Sequence, residues 1–440
     1  MVVLFGVLGT AVSVAPAGAQ AAAQPAAANP FGEFTPLTPA RILDTRDGTG
    51  RGGGVSPIPG GSSIAAQITG RGGVPGSGVQ AVVMNVTVTN ATAAGYVTIF
   101  PALSPRPTIS NLNFVAGQTV ANLVTVQLDA SGQVLAYNLT GTVDVIFDVV
   151  GFYADNTGPV GSRFHAVTPA RLLDTRDAAS PIGSESTRTL TVTGAGPIPA
   201  TGVTAVALNV TITEPTEPSF LTAFPFDTVM PLASNVNYVP GLTVPNLVVV
   251  RVPTSGPHTG VIGFFNRLGS THLVVDVVGY YDEDRGSEAG RFYAVTPNRI
   301  ADTRVSSSFP PPGKVPGGAS YRIGNTDPSA SIIDALVFNV TVTEPTTPSY
   351  LTVHPDGVER PNASNLNFVA NQTVPNLVMV KAGAVNARVD FYNFLGATHV
   401  VVDWFGVFTN ASAPPPAGAA ESASADDATR PDVWQPEPSR

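Results

Sequence analysis

Three acidic residues sit where a charge is costly. Asp148, Asp276 and Asp403 each interrupt an apolar run, and an unpaired carboxylate in such a place is strongly unfavourable. Basic and acidic residues recur together upstream. Arg41, Asp44 and Arg46 return as Arg171, Asp174 and Arg176, then as Arg299, Asp302 and Arg304. In an extended segment Asp44 and Arg46 share one face, about 6.6 Å apart. Two chemistries suit such a set. One is a structural Arg/Asp cluster, in which each buried acid pairs with an arginine of its own copy and ties the first segment to the last strand. The other is an acid-binding or catalytic cluster. The structural reading is preferred.

His272 with Asp276, and His399 with Asp403, suggest metal or relay chemistry. Four residues along a strand separate them by about 13 Å. Metal ligands lie near ~2 Å from the ion, so neither pair alone chelates one, and a direct His–Asp hydrogen bond is excluded too. The first copy has Asp144 where the histidines stand, so no His-dependent chemistry is common to all three. The chain has no cysteine, which removes thiolate sites and disulfides. It carries no G-x-S-x-G, H-E-x-x-H, P-loop or dinucleotide motif in proper context. A carboxylate pair for glycoside hydrolysis stays open, but nothing singles one out. The expectation is no catalytic residue, no metal site and no cofactor.

Asn85, Asn111, Asn113, Asn122 and Asn138 all recur. Asparagine caps turns and bonds to loop backbone; it also suits sugar hydroxyls. The candidate glycan contacts are Asn111, Asn113 and Tyr137, then Asn235, Asn237 and Phe265, then Asn365, Asn367 and Tyr392. Core packing is the competing role for the aromatics, and only two tryptophans are present.

The elements that must position these residues repeat in order. Thr38–Arg46 returns at Thr168–Arg176 and Thr296–Arg304, 130 and then 128 residues on. A period this long exceeds that of solenoids and propeller blades, so each copy is a domain. They are placed at 34–154, 164–282 and 292–409, joined by short polar connectors at 155–163 and 283–291. Val82–Thr89 alternates, with Val82, Met84, Val86 and Val88 facing one way, and reads as a half-buried strand. Further β-rich runs are Tyr96–Phe100, Asn111–Val115, Val120–Leu128, Val134–Asn138 and Val143–Tyr153. Turn residues punctuate them every ~8–12 positions, the pattern of sandwiches and barrels. The fold expected is all-β: three tandem β-sandwich domains, the jelly roll being one form open to them. The copies can hang as beads or pack about a pseudo-threefold axis.

Of 440 residues, 44 are glycine and 41 proline, with 12% charged and a net charge of −9. No Lys/Arg run occurs and only two lysines are present, so nucleic acid and anionic membrane are not expected partners. Residues 1–19 read as a signal peptide ending in Ala17-Gly18-Ala19, without a positive n-region. Residues 20–33 read as an Ala/Pro linker and 410–440 as a disordered Pro/Ala/acidic tail. No later run is long enough for a membrane span.

The ordered blocks carry a resemblance. Pro169-Ala170-Arg171-Leu172-Leu173-Asp174-Thr175-Arg176, Asn85-Val86-Thr87, Ser110-Asn111-Leu112-Asn113, Thr119–Val124 and Asp148–Tyr153 resemble a tandem all-β repeat common in secreted actinobacterial proteins. All three domains resemble it; the third departs at Asn298, Ala301 and Trp404–Phe408. The resemblance implies exported β modules, often appended to other extracellular modules, and no catalytic activity to carry over. The function expected is that of a secreted, non-enzymatic structural or adhesive protein of the cell surface or extracellular matrix. The first rival is a multivalent carbohydrate- or cell-wall-binding protein, and the second an extracellular hydrolase with an inter-domain site. Partners would be a cell-wall or extracellular glycan, or another surface protein.

Overall fold

The computed structural model describes residues 31–155, 157–284, 289–305, 313–324 and 332–409. The strands form where β-branched and aromatic residues alternate, and stop at Gly, Pro and Asn turns. Copy one contains β1 (Phe31–Asp44), β2 (Ile58–Pro59), β3 (Ser62–Gln67), β4 (Val79–Thr89), β5 (Gly95–Pro101), β6 (Leu112–Phe114), β7 (Val120–Gln127), β8 (Gln133–Asn138) and β9 (Thr142–Ala154). All but the two-residue β2 build two antiparallel sheets, β1-β9-β4-β7 and β3-β8-β5-β6. Numbered along the chain, these eight strands run 1-8-3-6 and 2-7-4-5, which is the jelly roll.

Copy two repeats it. Its strands are β10 (Arg163–Asp174), β11 (Ser186–Thr191), β12 (Val203–Thr213), β13 (Ser219–Pro225), β14 (Val236–Tyr238), β15 (Val244–Arg251), β16 (Val261–Asn266) and β17 (His272–Asp282). They pair as β10-β17-β12-β15 and β11-β16-β13-β14. Copy three has β18 (Arg291–Asp302), β19 (Val315–Pro316), β20 (Ala319–Ile323), β21 (Ile333–Thr343), β22 (Ser349–Pro355), β23 (Leu366–Phe368), β24 (Val374–Lys381), β25 (Val389–Asn393) and β26 (Ala397–Thr409). Its sheets are β18-β26-β21-β24 and β20-β25-β22-β23. The chain is therefore all-β, three sandwiches in tandem.

Each sandwich has its own core. In copy one Val82, Met84, Val86 and Val88 of β4 meet Val97, Ile99, Val134 and Ala136 of the opposite sheet. The other face of β4 is not solvated, which corrects the half-buried reading. Ala81 and Val83 join a separate core with Leu123, with Ala205, Ala207 and Leu247 of copy two, and with Ala335, Val337 and Leu377 of copy three. The first-named sheet of each copy thus faces the other two copies and is buried on both sides. We call it the inner sheet.

The copies close into a ring rather than hanging as beads. Phe34 and Ser162 exchange backbone hydrogen bonds of 2.8 and 2.7 Å, and Phe164 and Gly290 exchange two of 2.9 Å. β1 completes the circuit by pairing with β18, Gly32 opposite Phe292 and Phe31 opposite Tyr293. Ser162, Gly290 and Gly32 are equivalent positions, as are Phe34, Phe164 and Phe292. Residues 31–33, read as leader, belong to β1 for this reason. Ser162 and Gly290, read as connector, are part of the closure. The signal-peptide reading, the rest of the leader and the tail at 410–440 lie outside the described residues.

Candidate functional site

The Arg/Asp set is a clamp, built three times. β1 shifts register between Pro36 and Ala40 and again between Arg41 and Leu43, leaving Arg41 opposite Asp148 on β9. The same two shifts occur in copies two and three. Bulges re-aim side chains in this way. Arg41 then grips Asp148 by two bonds, Nε to Oδ1 at 2.9 Å and Nη2 to Oδ2 at 3.2 Å. Its third nitrogen reaches Asp44 at 3.2 Å. Arg46 folds back onto Asp44 by two side-chain bonds of 2.9 and 2.7 Å. Arg171 holds Asp276 and Asp174, and Arg299 holds Asp403 and Asp302, in the same pattern. Arg176 and Arg304 close on Asp174 and Asp302 as Arg46 does on Asp44.

The electrostatics differ within each clamp. Burial pushes the carboxyls of Asp148, Asp276 and Asp403 above their ordinary value, and the bonds from their arginines offset only part of that. Arg176 hydrogen-bonds Asp174 and holds it down at about 2. For Asp44 and Asp302 burial pushes up, but the bonds from Arg46 and Arg304 prevail and the carboxyls lie low. The clamp's carboxylates are thus filled by their own arginines, and the arrangement ties the first strand to the last.

The histidines do not meet the aspartates four residues on. His272 Nδ1 lies 3.1 Å from Thr175 Oγ1, and His399 Nδ1 lies 3.0 Å from Thr303 Oγ1. In copy one Thr45 donates to Asp144 at 2.7 Å. Thr45, Thr175 and Thr303 were visible in the repeated block, but nothing in their type marked them as partners. Each also accepts from the backbone N–H of the last strand, at Val145, Leu273 and Val400.

The asparagines join the copies. Asn122 Nδ2 donates to Asn339 Oδ1 at 2.9 Å, Asn246 to Asn85 at 3.2 Å, and Asn376 to Asn209 at 3.1 Å. Asn122, Asn246 and Asn376 also accept from the backbone N–H of Leu377, Leu123 and Leu247 in neighbouring copies. Asn85, Asn209 and Asn339 donate to the carbonyls of Ser234, Ser364 and Ser110. Each set of links is cyclic: the Asn-to-Asn donors run one way round the ring and those to and from the backbone run the other.

The buried asparagines among the glycan candidates need correcting. Asn111, Asn235 and Asn365 are buried. Their side-chain oxygens accept from Ile99, Ala223 and Val353 N–H at 2.7 Å, so no sugar reaches them. Asn113, Asn237 and Asn367 are partly exposed and accept from Ser110, Ser234 and Ser364. Tyr137 and Phe265 are 8% and 9% exposed. Arg106 stacks 3.8 Å above Tyr137, and Arg360 3.9 Å above Tyr392. The two tyrosine rings are roofed rather than offered as platforms, and Phe265 is packed in its sheet.

At one end of the axis lies a closed collar of six rings, which the sequence reading missed. Phe34 packs on Tyr281, Tyr281 on Phe164, Phe164 on Phe408, Phe408 on Phe292, Phe292 on Tyr153, and Tyr153 on Phe34, with centroids 4.3–5.3 Å apart. Gly151 has no side chain because a Cβ there would overlap the Phe34 ring. The Tyr153 and Tyr281 hydroxyls bond each other at 2.7 Å. Phe408, at the third equivalent position, has no hydroxyl.

Two open clefts flank the collar, each between one copy's inner sheet and another copy's first strand. One, of about 530 Å³, lies between copy one and β18. The other, of about 580 Å³, lies between copy two and β1. Among the described residues no group of His, Cys, Asp and Glu is arranged to hold a metal ion.

No family model and no curated protein matches the chain. Over 86% of its length it is similar to a chain from the atomic structure of Sulfolobus Turreted Icosahedral Virus, at 10% identity, 92% coverage of that chain and a TM-score of 0.19. A chain from work on the triple jelly roll fold and turret assembly in an archaeal virus gives 9% identity, 86% and 91% coverage, and a TM-score of 0.18. Scores this low leave the fold assignment resting on the strand order.

Proposed function

We propose that the protein is an exported, non-catalytic structural or adhesive molecule that presents three equivalent loop sets from one rigid ring. The observation that supports this most is the closure: the clamp and ring residues bond within and between copies. A cyclic set of contacts about one axis sets equivalent loops at the same height. The turn after β4, the loop before β7 and the turn after β8 gather at the end of each copy away from the collar. There they expose Val115 and Leu139, Val239 and Leu268, and Phe394 and Leu395. Three tips fixed together multiply a weak affinity, by ~10²–10⁴ where the geometry allows simultaneous contact. A wall glycan or another surface protein is the partner this reading takes.

The test is retention of the full chain on immobilised, purified cell wall and extracellular matrix. Val115→Ser, Leu268→Ser and Phe394→Ser are then added singly and together. Stepwise loss, steepest for the triple variant, is expected. Retention equal to the parent in the triple variant, or no retention on any surface, would overturn the reading.

A further inference from the structure

The two clefts are equivalent by the ring's symmetry, yet their linings are chemically different. The cleft between copies two and one carries Arg251 and Glu283, and its Thr204 hydroxyl is committed to Ser162 at 2.7 Å. Among the described residues, the cleft between copies one and three has no arginine or lysine in its wall. It is lined instead by the amides of Gln80 and Gln127, the carboxylates of Asp129 and Asp155, the Ser77 hydroxyl and the Tyr293 ring. Asp129 is fixed by N–H donors from Leu103 and Ser131, and Asp155 by those from Thr157 and Gly158. Each carboxylate keeps lone pairs beyond those bonds.

Gln80 is the second observation. It replaces Thr204, and Gly32 replaces Ser162. The mutual hydroxyl bond of copy two is therefore missing in copy one. Gln80 Oε1 lies buried without a hydrogen-bond partner, close to where a Cβ on Gly32 would stand. An unpartnered buried acceptor is unfavourable. Gln80 lines the cleft, and a change of rotamer that carries the whole amide into it would offer both its oxygen and its N–H groups to a ligand's hydroxyls.

We propose that this cleft binds a neutral sugar, whose hydroxyls donate to Gln80, Asp129 and Asp155 beside the Tyr293 ring. An acceptor-rich wall without a cation disfavours anions and suits a ligand rich in O–H donors. Its volume falls within the roughly 300–1,000 Å³ of small-ligand sites. The site is separate from the exposed tips, so it stands or falls independently of adhesion.

The experiment titrates the full chain with free neutral mono- and disaccharides of glucose, galactose, arabinose and N-acetylglucosamine, read by saturation-transfer NMR and calorimetry. A simple alkylamine and a uronic acid serve as the cationic and anionic arms. Saturable binding of at least one neutral sugar is expected. Gln80→Leu and Ala130→Trp, which blocks the mouth, should each weaken it about tenfold or more. Arg251→Ala in the other cleft should leave it unchanged, and melting curves report that the variants fold. The proposal is overturned if no neutral sugar saturates at millimolar concentration, if only the amine or the acid binds, or if both cleft variants bind as the parent does. Use of free sugars, with no surface present, separates this outcome from failure of the adhesive reading.

Discussion

The inner sheet of each copy and the edge strand of its outer sheet meet different surroundings. β4 is buried from Ala81 to Thr89 without a break, whereas β11, at the edge of an outer sheet, is exposed at Ser186, Thr187, Thr189 and Thr191. Both alternate in sequence. What separates them is whether a second copy covers the polar face, and the inner sheets are covered by the ring. Polar side chains on a covered face have to find partners among themselves, and Asn85, Asn122 and their equivalents do so across copies. On the outer edge strand β11 the same residue types need no such arrangement, because water serves them; Thr98, Thr222 and Thr352 on central outer strands are buried and donate to the carbonyls of Ile109, Ala233 and Ala363 in their own copy.

The sharpest way to break this comparison is to remove one partner of an ion pair from each region. Arg41→Ala strands Asp148, which is fully buried in the inner sheet. Removing one member of a buried pair costs about 3–5 kcal/mol. Arg267 and Glu185, in the turns beside β16 and β11 of an outer sheet, pair at 2.7 Å and are both exposed, so solvent competes and Arg267→Ala is expected to cost no more than about 1 kcal/mol. Chemical denaturation of both variants checks this. Equal losses would mean that coverage by neighbouring copies does not set the cost.

A subtler break lies in the collar. Tyr153 and Tyr281 bond each other out of reach of water, while Phe408 shows that the position accepts a bare ring. Tyr281→Phe leaves the Tyr153 hydroxyl without that partner, for a cost of about 1–2 kcal/mol. Adding Tyr153→Phe removes the orphan, and the double variant should recover to within about 0.5 kcal/mol of the parent. Additive losses in the double-mutant cycle would show that the hydroxyls act through other partners.

What was legible in the sequence follows the same division. The clamp was legible because an acid inside an apolar run demands a cation, and the same two arginines recurred in every copy. The sandwich was legible because Val82, Met84, Val86 and Val88 alternate. The ring was not, because Asn85 and Thr87 on the second face of β4 read equally well as a solvated face, and the partner of Asn122 is 217 residues away. Two signals pointed to it: Ala81 and Val83 are apolar on that supposedly wet face, and Phe34, Phe164 and Phe292 repeat beside Gly151, Gly279 and Gly406. The register shifts that set Arg41 against Asp148 leave no mark on residue type. The asparagines drew a glycan reading because the amide that binds sugar also binds backbone, and burial decides between the two.

The smallest effect concerns acid, and it separates the two carboxylates of one clamp. Asp174 is held at about 2 against an ordinary 3.8. Its stabilising contribution is therefore complete above the ordinary value and is lost as pH falls through about 2. Asp276 titrates above 3.8 because it is buried. Its contribution has the opposite sign: fully present below 3.8 and lost as pH rises through the raised value. The two act in different ranges: lowering pH toward 3.8 brings in the contribution of Asp276, and the melting temperature should then fall as pH drops from 3.8 toward 2. Asp174→Asn removes the titrating partner of Arg176 and should make that acid limb shallower, Asp44 and Asp302 supplying the rest, while leaving the slope above about pH 4 unaltered. Thermal melts across the range check it. An acid limb as steep in the variant as in the parent would assign the loss to other carboxylates and detach Asp174 from the clamp's energetics.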